Sequence, residues 1–136
     1  MGNGLFDKTI TLLGNSLDLR ATRHKLLTSN IANQETPGYK AVDINFEDEL
    51  KKRQASTTGS PLERTNPAHI VPVRGPGAGP VVFERATDIE SYDNNSVGIE
   101  AEMAKLSENS IMYSATTKML KSKFNLLMTA IKEGGR

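Results

Sequence analysis

At 136 residues the chain is long enough for one ordinary domain, but 37% hydrophobic and 5% aromatic content, with no Trp, leaves a lone copy a thin core. That composition favours a protein that completes its burial against copies or partners. A formal net charge of +1 supplies no overall field to recruit nucleic acid or an anionic membrane, and the lack of Cys excludes disulfides and thiolate metal sites. The opening residues carry neither a basic nor an apolar signal region, and no apolar run approaches membrane-spanning length, so neither a cleavable leader nor direct membrane insertion is expected.

The spacing predicts a first long helix over about residues 5–33. Phe6, Ile10, Leu13, Leu17, Arg20, His24, Leu27 and Ile31 alternate steps of four and three, the seam of a heptad repeat with two polar members. Leu12, Leu19 and Leu26 form an adjoining stripe, and Gly14 is a mild helix weakness. Pro37 and Gly38 forbid continuation, so residues 34–55 read as a turn followed by a short helix. Ile44, Phe46 and Leu50 anchor that helix. Asn45 is placed to cap it, and its acids precede its bases as the helix dipole prefers.

Residues 56–96 hold five of the six Pro and several Gly, so this middle is expected to be irregular and partly β. The runs His69 to Val73 and Val81 to Glu84 have strand character, and the glycine-rich stretch Arg74 to Pro80 would join them as a hairpin. A second long helix is predicted over residues 97–133. Ile99, Met103, Leu106, Ser110, Tyr113, Thr117, Leu120, Phe124, Leu127 and Ile131 repeat the heptad steps without interruption. Its first half is acidic and its second half basic. The fold expected is mainly α, one domain over residues 1–136, with terminal heptad helices pairing as a coiled coil or bundle.

The sequence offers little for catalysis. His24 and His69 stand without further ligands at metal-like spacing. No nucleophile elbow is present, and Glu47, Asp48 and Glu49 read as a solvated helix face. The run Gly75 to Gly79 lacks the Lys and following helix of a phosphate loop. Arg20, Arg23 and Lys25 form a basic patch without interleaved aromatics, so no nucleic-acid face is expected. No enzyme activity, cofactor or metal site is expected. Polar seam positions Arg20, His24, Ser110 and Thr117 favour helices that pack between molecules over a self-contained hairpin.

One stretch is more specific. After Ser29, Asn30 and Ile31 comes Ala32-Asn33-Gln34-Glu35-Thr36-Pro37-Gly38-Tyr39-Lys40, a helix stop followed at once by a Thr-Pro-Gly turn and a Tyr-Lys pair. It resembles the signature of the bacterial flagellar axial proteins, of the form A-N-x-x-T-P-G-Y-K/R, and matches it in full. Leu17 to Ala21 and Asp43 to Glu47 are similar to the flanking segments. Asn94 to Met103 resembles the Asn-rich approach to the family's last helix, with Ser96 as an insertion and Gly98 where the family has Asp. Among axial proteins the length and flanks are most similar to the proximal-rod members.

The resemblance implies a non-enzymatic building block of the proximal rod of the basal body. Such subunits leave the cytoplasm through the flagellum-specific type III apparatus and stack helically into the periplasm-spanning drive shaft. The partners implied are other rod subunits, the adaptor FliE and the membrane-ring and export-gate region, with self-association. Asn30, Ala32, Asn33, Thr36, Pro37, Gly38, Tyr39 and Lys40 are the expected assembly signature. Another rod subunit of the same family is the near alternative. A cytosolic coiled-coil adaptor or export chaperone is the alternative of a different class, although such chaperones are usually acidic and lack a turn signature between helices.

Overall fold

A computed structural model describes residues 3–57, 79–85 and 98–134 of the chain. Helix α1 spans Asn3–Ala32, strand β1 Val42–Ile44, helix α2 Phe46–Thr57, strand β2 Val82–Glu84 and helix α3 Ile99–Gly134. The architecture is mainly helical, with two long terminal helices, a short third helix and little strand.

Each boundary has a local cause. Asn45 Oδ1 accepts the Asp48 amide at 3.3 Å, capping α2, and Glu47 to Glu49 place three acids in its positive first turn. At α3 the Gly98 carbonyl accepts the first helical bond, from the Glu102 amide at 3.0 Å, so the glycine found in place of a capping acid still opens the helix. Glu100 and Glu102 lie in the first turn of α3 and Lys132 in its last, matching the dipole.

Helices α1 and α3 run antiparallel, since Asn30 meets Glu102 while Arg20 meets Asn109. The buried stripe of α1 is Ser16, Leu19, Leu27 and Asn30, and that of α3 is Glu102, Asn109 and Thr116 at seven-residue steps. The α3 stripe is wholly polar. It lies one stripe round from the apolar heptad seam. Within that seam Leu106, Leu120 and Leu127 are half-buried, whereas Ile99, Met103, Tyr113, Phe124 and Ile131 are exposed, the last at 71%. On α1, Leu27 is fully buried and Ile10, Leu13, Leu17 and Ile31 are half-buried. The rotation of α3 has a physical reason. Asn30 and Asn109 bind polar partners between the helices, and turning α3 to bury its apolar seam would expose or break those bonds.

Strands β1 and β2 pair antiparallel, with Val42 opposite Glu84, Asp43 opposite Phe83 and Ile44 opposite Val82. The sequence points to a different partner for β2, the run His69 to Val73, which lies outside the described residues. Among the described residues the partner is Val42–Ile44, too short to show a periodicity of its own. The pairing draws the chain after the Thr-Pro-Gly turn against the segment that precedes α3. Among the described residues the buried hydrophobic core is Leu19, Leu27, Ala41 and Ile44, small for a domain.

Candidate functional site

The site begins where α1 stops. Asn33 closes the helix end, its amide bonding the Ser29 carbonyl at 3.0 Å and its side-chain Nδ2 donating to that same carbonyl at 2.8 Å. The Thr36 amide then donates to the Asn33 carbonyl at 3.0 Å, and Thr36 Oγ1 lies 3.3 Å from Asn33 Oδ1. The Tyr39 amide donates to the Thr36 carbonyl at 3.2 Å, making Thr36-Pro37-Gly38-Tyr39 a β-turn. Pro supplies the fixed φ of its first central position and Gly38, at φ +71°, the left-handed second one, the type II combination. Open space surrounds the position a Gly38 Cβ would take, so the requirement for glycine there is conformational and not one of crowding.

The turn delivers Tyr39 back to α1. Its hydroxyl donates to Asn30 Oδ1 at 3.2 Å and lies 3.5 Å from Ser29 Oγ. Asn30, fully buried, is the centre of the junction. Its Nδ2 donates to the Val42 carbonyl at 2.9 Å and to Glu102 Oε2 at 2.8 Å, and its Oδ1 also accepts the Val42 amide at 3.0 Å. Every hydrogen-bonding capacity of the carboxamide is thereby used. The sequence suggests a helix-end cap at both Asn30 and Asn33. Asn33 does that work, whereas Asn30 ties α1, Tyr39, the open edge of β1 and α3 at one point. Of the remaining signature residues, Ala32, Thr36 and Pro37 are exposed, and Lys40 reaches Glu84 beside it on the sheet, a solvated contact of 3.6 Å.

A chain of charges extends from Asn30. Glu102, 2% exposed, takes a bidentate pair from Arg85, whose two terminal nitrogens donate at 2.6 Å each, and Lys105 stands 3.4 Å away on the same helix. Arg85 is held by its own amide, bonded to the Ala41 carbonyl at 2.8 Å. Its Nε, with no hydrogen-bond partner, faces Asp43 at 4.0 Å. Asp43 in turn accepts two bonds from Arg23 of α1, at 2.9 and 3.0 Å, and one from the Ile44 amide at 2.8 Å. Alternating charges thus link α1, β1, the end of β2 and α3. Burial alone would raise the Glu102 pKa, but the bonds from Arg85 and Asn30 outweigh it and the carboxyl is held below its ordinary value. The bond to Asp43 raises the Arg23 value above its ordinary one, against the smaller lowering effect of burial.

The sign of the Glu102 shift sets a pH dependence. The unfolded chain takes up this proton first, so the stabilisation is complete above the ordinary glutamate value of about 4.3 and is lost as pH falls through that value and on through the lower folded one. Urea unfolding across an acid pH series is expected to show stability falling in that window. The Glu102→Gln variant, having no proton to take up there, is expected to show a flatter dependence.

Sequence reasoning did not single out Arg23, Asp43, Arg85, Glu102 or Asn109 as a group. The one signal available was the polar heptad of Glu102, Asn109 and Thr116, hidden beside a stronger apolar one. The expected solvated acids divide: Glu47 and Asp48 are exposed, but Glu49 is buried and bonded to Lys52 at 2.8 Å. The basic patch also divides. Arg23 joins the network, Arg20 lies over the Phe46 ring at 4.3 Å from its centre, and Lys25 is exposed. His24 is exposed, and His69 lies outside the described residues. Among the described residues there is no cluster fit to hold a metal ion, and no helix is long and apolar enough to cross a membrane.

Long antiparallel helices locked by a buried polar junction make this a mainly helical protein organised around its two terminal helices. No protein-family model matches the chain. It is 40% identical over 117 residues to the flagellar basal body rod protein FlgB of Cereibacter sphaeroides, covering 86% of this chain and 88% of that one. It is 33% identical over 132 residues to FlgB of Salmonella typhimurium and 32% over 134 residues to that of Escherichia coli, each match covering 94% of this chain and 96% of the relative. The chain belongs to the FlgB family of flagellar basal body rod proteins.

Proposed function

We propose that the chain is a structural subunit of the proximal rod, acting as one domain that stacks helically into the drive shaft through its terminal helices. The observation that carries this reading is the outward-facing apolar seam of α3 in a chain of this family. Ile99, Met103, Tyr113, Phe124 and Ile131 are exposed on a helix whose polar stripe already occupies α1. A soluble monomer gains nothing from such a row, whereas a subunit that is to be surrounded by others needs it. The partners in this reading are other rod subunits, the adaptor FliE and the membrane-ring and export-gate region, reached by type III export. In this role the junction from Asn30 to Lys40 fixes the angle at which the chain leaves α1 and presents the seam at a set rotation.

The test is complementation of a strain lacking its own copy of this rod gene. The wild-type chain is expected to restore motility and to appear in purified basal bodies. Phe124→Asp, on an exposed position, is expected to leave helix content and urea midpoint unchanged while abolishing motility. Gly38→Val is expected to lose about 1–2 kcal/mol, because a β-branched residue is strained at positive φ. Gly38→Val and Tyr39→Ala are expected to impair motility more than export. Full motility in Phe124→Asp, or in both junction variants, would overturn the assembly role.

A further inference from the structure

Beside the junction lies an open groove of about 550 Å³ between α1, the start of α2, β2 and α3. Phe46, Phe83 and Met112 give it apolar walls. Among its charged lining residues Arg23 and Asp43 neutralise each other, which leaves Arg20 against Glu47 and Glu108. Arg20 sits over Phe46, and the Glu47 contact with Lys51 is long, at 3.9 Å, and solvated. Asn109, 1% exposed, also lines the groove, and its Oδ1 accepts no hydrogen bond although its Nδ2 is held by the Arg20 carbonyl at 2.9 Å. Arg20 Nε on the same groove is likewise without a hydrogen-bond partner, so it is the apolar walls and the surplus carboxylate that select the ligand: an apolar segment that carries an ammonium group.

The chain itself presents such a segment. Met128, Ile131 and Lys132 share one face of the last turns of α3, all three exposed. Measured from the Asn30–Glu102 contact at 1.5 Å per residue, these turns lie about 39–45 Å along α3, at the end of the helix pair far from the junction. They cannot reach the groove of their own molecule, because Ile131 lies about 33 Å along a continuous helix from Asn109.

We propose that the last turns of α3 in one copy seat in this groove of the next copy. Met128 and Ile131 pack against Phe83 and Met112, and Lys132 reaches the exposed Glu108. The inference rests on the rod-subunit reading and adds a contact to it. Peg and groove are different surfaces, so the contact is heterologous and propagates into a ring or an open helical stack, the geometry an axial structure requires.

The experiment uses two readouts in the complemented strain. The chain has no cysteine, so Met112→Cys combined with Ile131→Cys introduces its only thiols. Mild oxidation is expected to give a ladder of cross-linked dimers and higher species, absent from either single variant. Glu108→Lys and Lys132→Glu are each expected to weaken the contact at least about tenfold and reduce motility, and their combination to restore it. Circular dichroism of the purified variants shows whether each is folded. A chain found in the rod with no ladder and no rescue by the charge swap overturns the groove contact and leaves the rod role intact. A ladder from a chain that never enters the rod overturns the rod role and leaves the contact intact.

Discussion

Replacing Glu102 by alanine is expected to destabilise the isolated subunit by about 3–5 kcal/mol, a large share of the roughly 5–15 kcal/mol that holds a domain folded. The carboxylate is 2% exposed and answers three groups at once: the two Arg85 nitrogens, Asn30 Nδ2 and, more loosely, Lys105. Its removal leaves the part-buried Arg85 guanidinium without its bidentate partner and Asn30 with a donor that nothing accepts. The Arg85 Nε, already without a hydrogen bond, makes this cation particularly dependent on Glu102. The loss measures the charge left behind more than the strength of the pair. Replacing both Glu102 and Arg85 by Met is therefore expected to cost much less than Glu102→Ala alone. Urea denaturation of Glu102→Met, Arg85→Met and the double variant closes the cycle. A loss below about 1 kcal/mol for Glu102→Ala would mean that the network contributes nothing to stability. Asn30→Asp tests the same centre by chemistry, since a carboxylate cannot donate to Val42 or Glu102 and places a second negative charge beside the first.

The elements were legible in the sequence for reasons that are local. Proline and glycine after Asn33 end α1, the Pro-Gly pair specifies a turn that needs positive φ at its second central residue, and Asn45 caps α2. Each acts within four residues of itself. The rotation of α3 was not legible. Hydrophobic periodicity finds the face with the strongest preference to leave water, and on α3 that is the row through Met103, Tyr113 and Phe124. It does not say whether the row is satisfied within the chain or by another chain. The face that meets α1 is polar, and its complementarity depends on Asn30, Arg20 and Arg85, which are brought there by folding. The same holds for Val42–Ile44. Three residues carry too little pattern to declare a strand, and its pairing with β2 spans a long stretch of intervening chain. What the sequence did carry was the Thr-Pro-Gly turn that follows α1. The structure adds that Asn30, just upstream of that turn, joins it to both long helices.

A core this small makes the subunit sensitive to single aliphatic losses. Leu19 and Leu27 are fully buried on α1, and among the described residues only Ala41 and Ile44 join them as buried hydrophobic side chains. Leu27→Ala is expected to cost about 2–5 kcal/mol, the transfer of the lost methyl groups plus the cavity left beneath the junction. Subtracted from a total of about 5–15 kcal/mol, this brings the free chain close to its unfolding threshold. The assembled chain should respond differently. Anything that binds only the folded state adds its binding free energy to stability, and a subunit surrounded by others along its exposed α3 seam gains the most from that coupling. Leu27→Ala is therefore expected to lower the melting temperature of purified protein sharply and to give a temperature-sensitive motility defect, mild when cells are grown cool and severe when they are grown warm. Rods already built at the cool temperature are expected to keep working after a shift to the warm one, because their subunits are already bound. Thermal melts of the pure variant, paired with motility before and after such a shift, read both halves of the argument. Pre-built rods that fail as quickly as new ones stop forming would show that neighbours add no stability, and would remove the role assigned to the exposed seam.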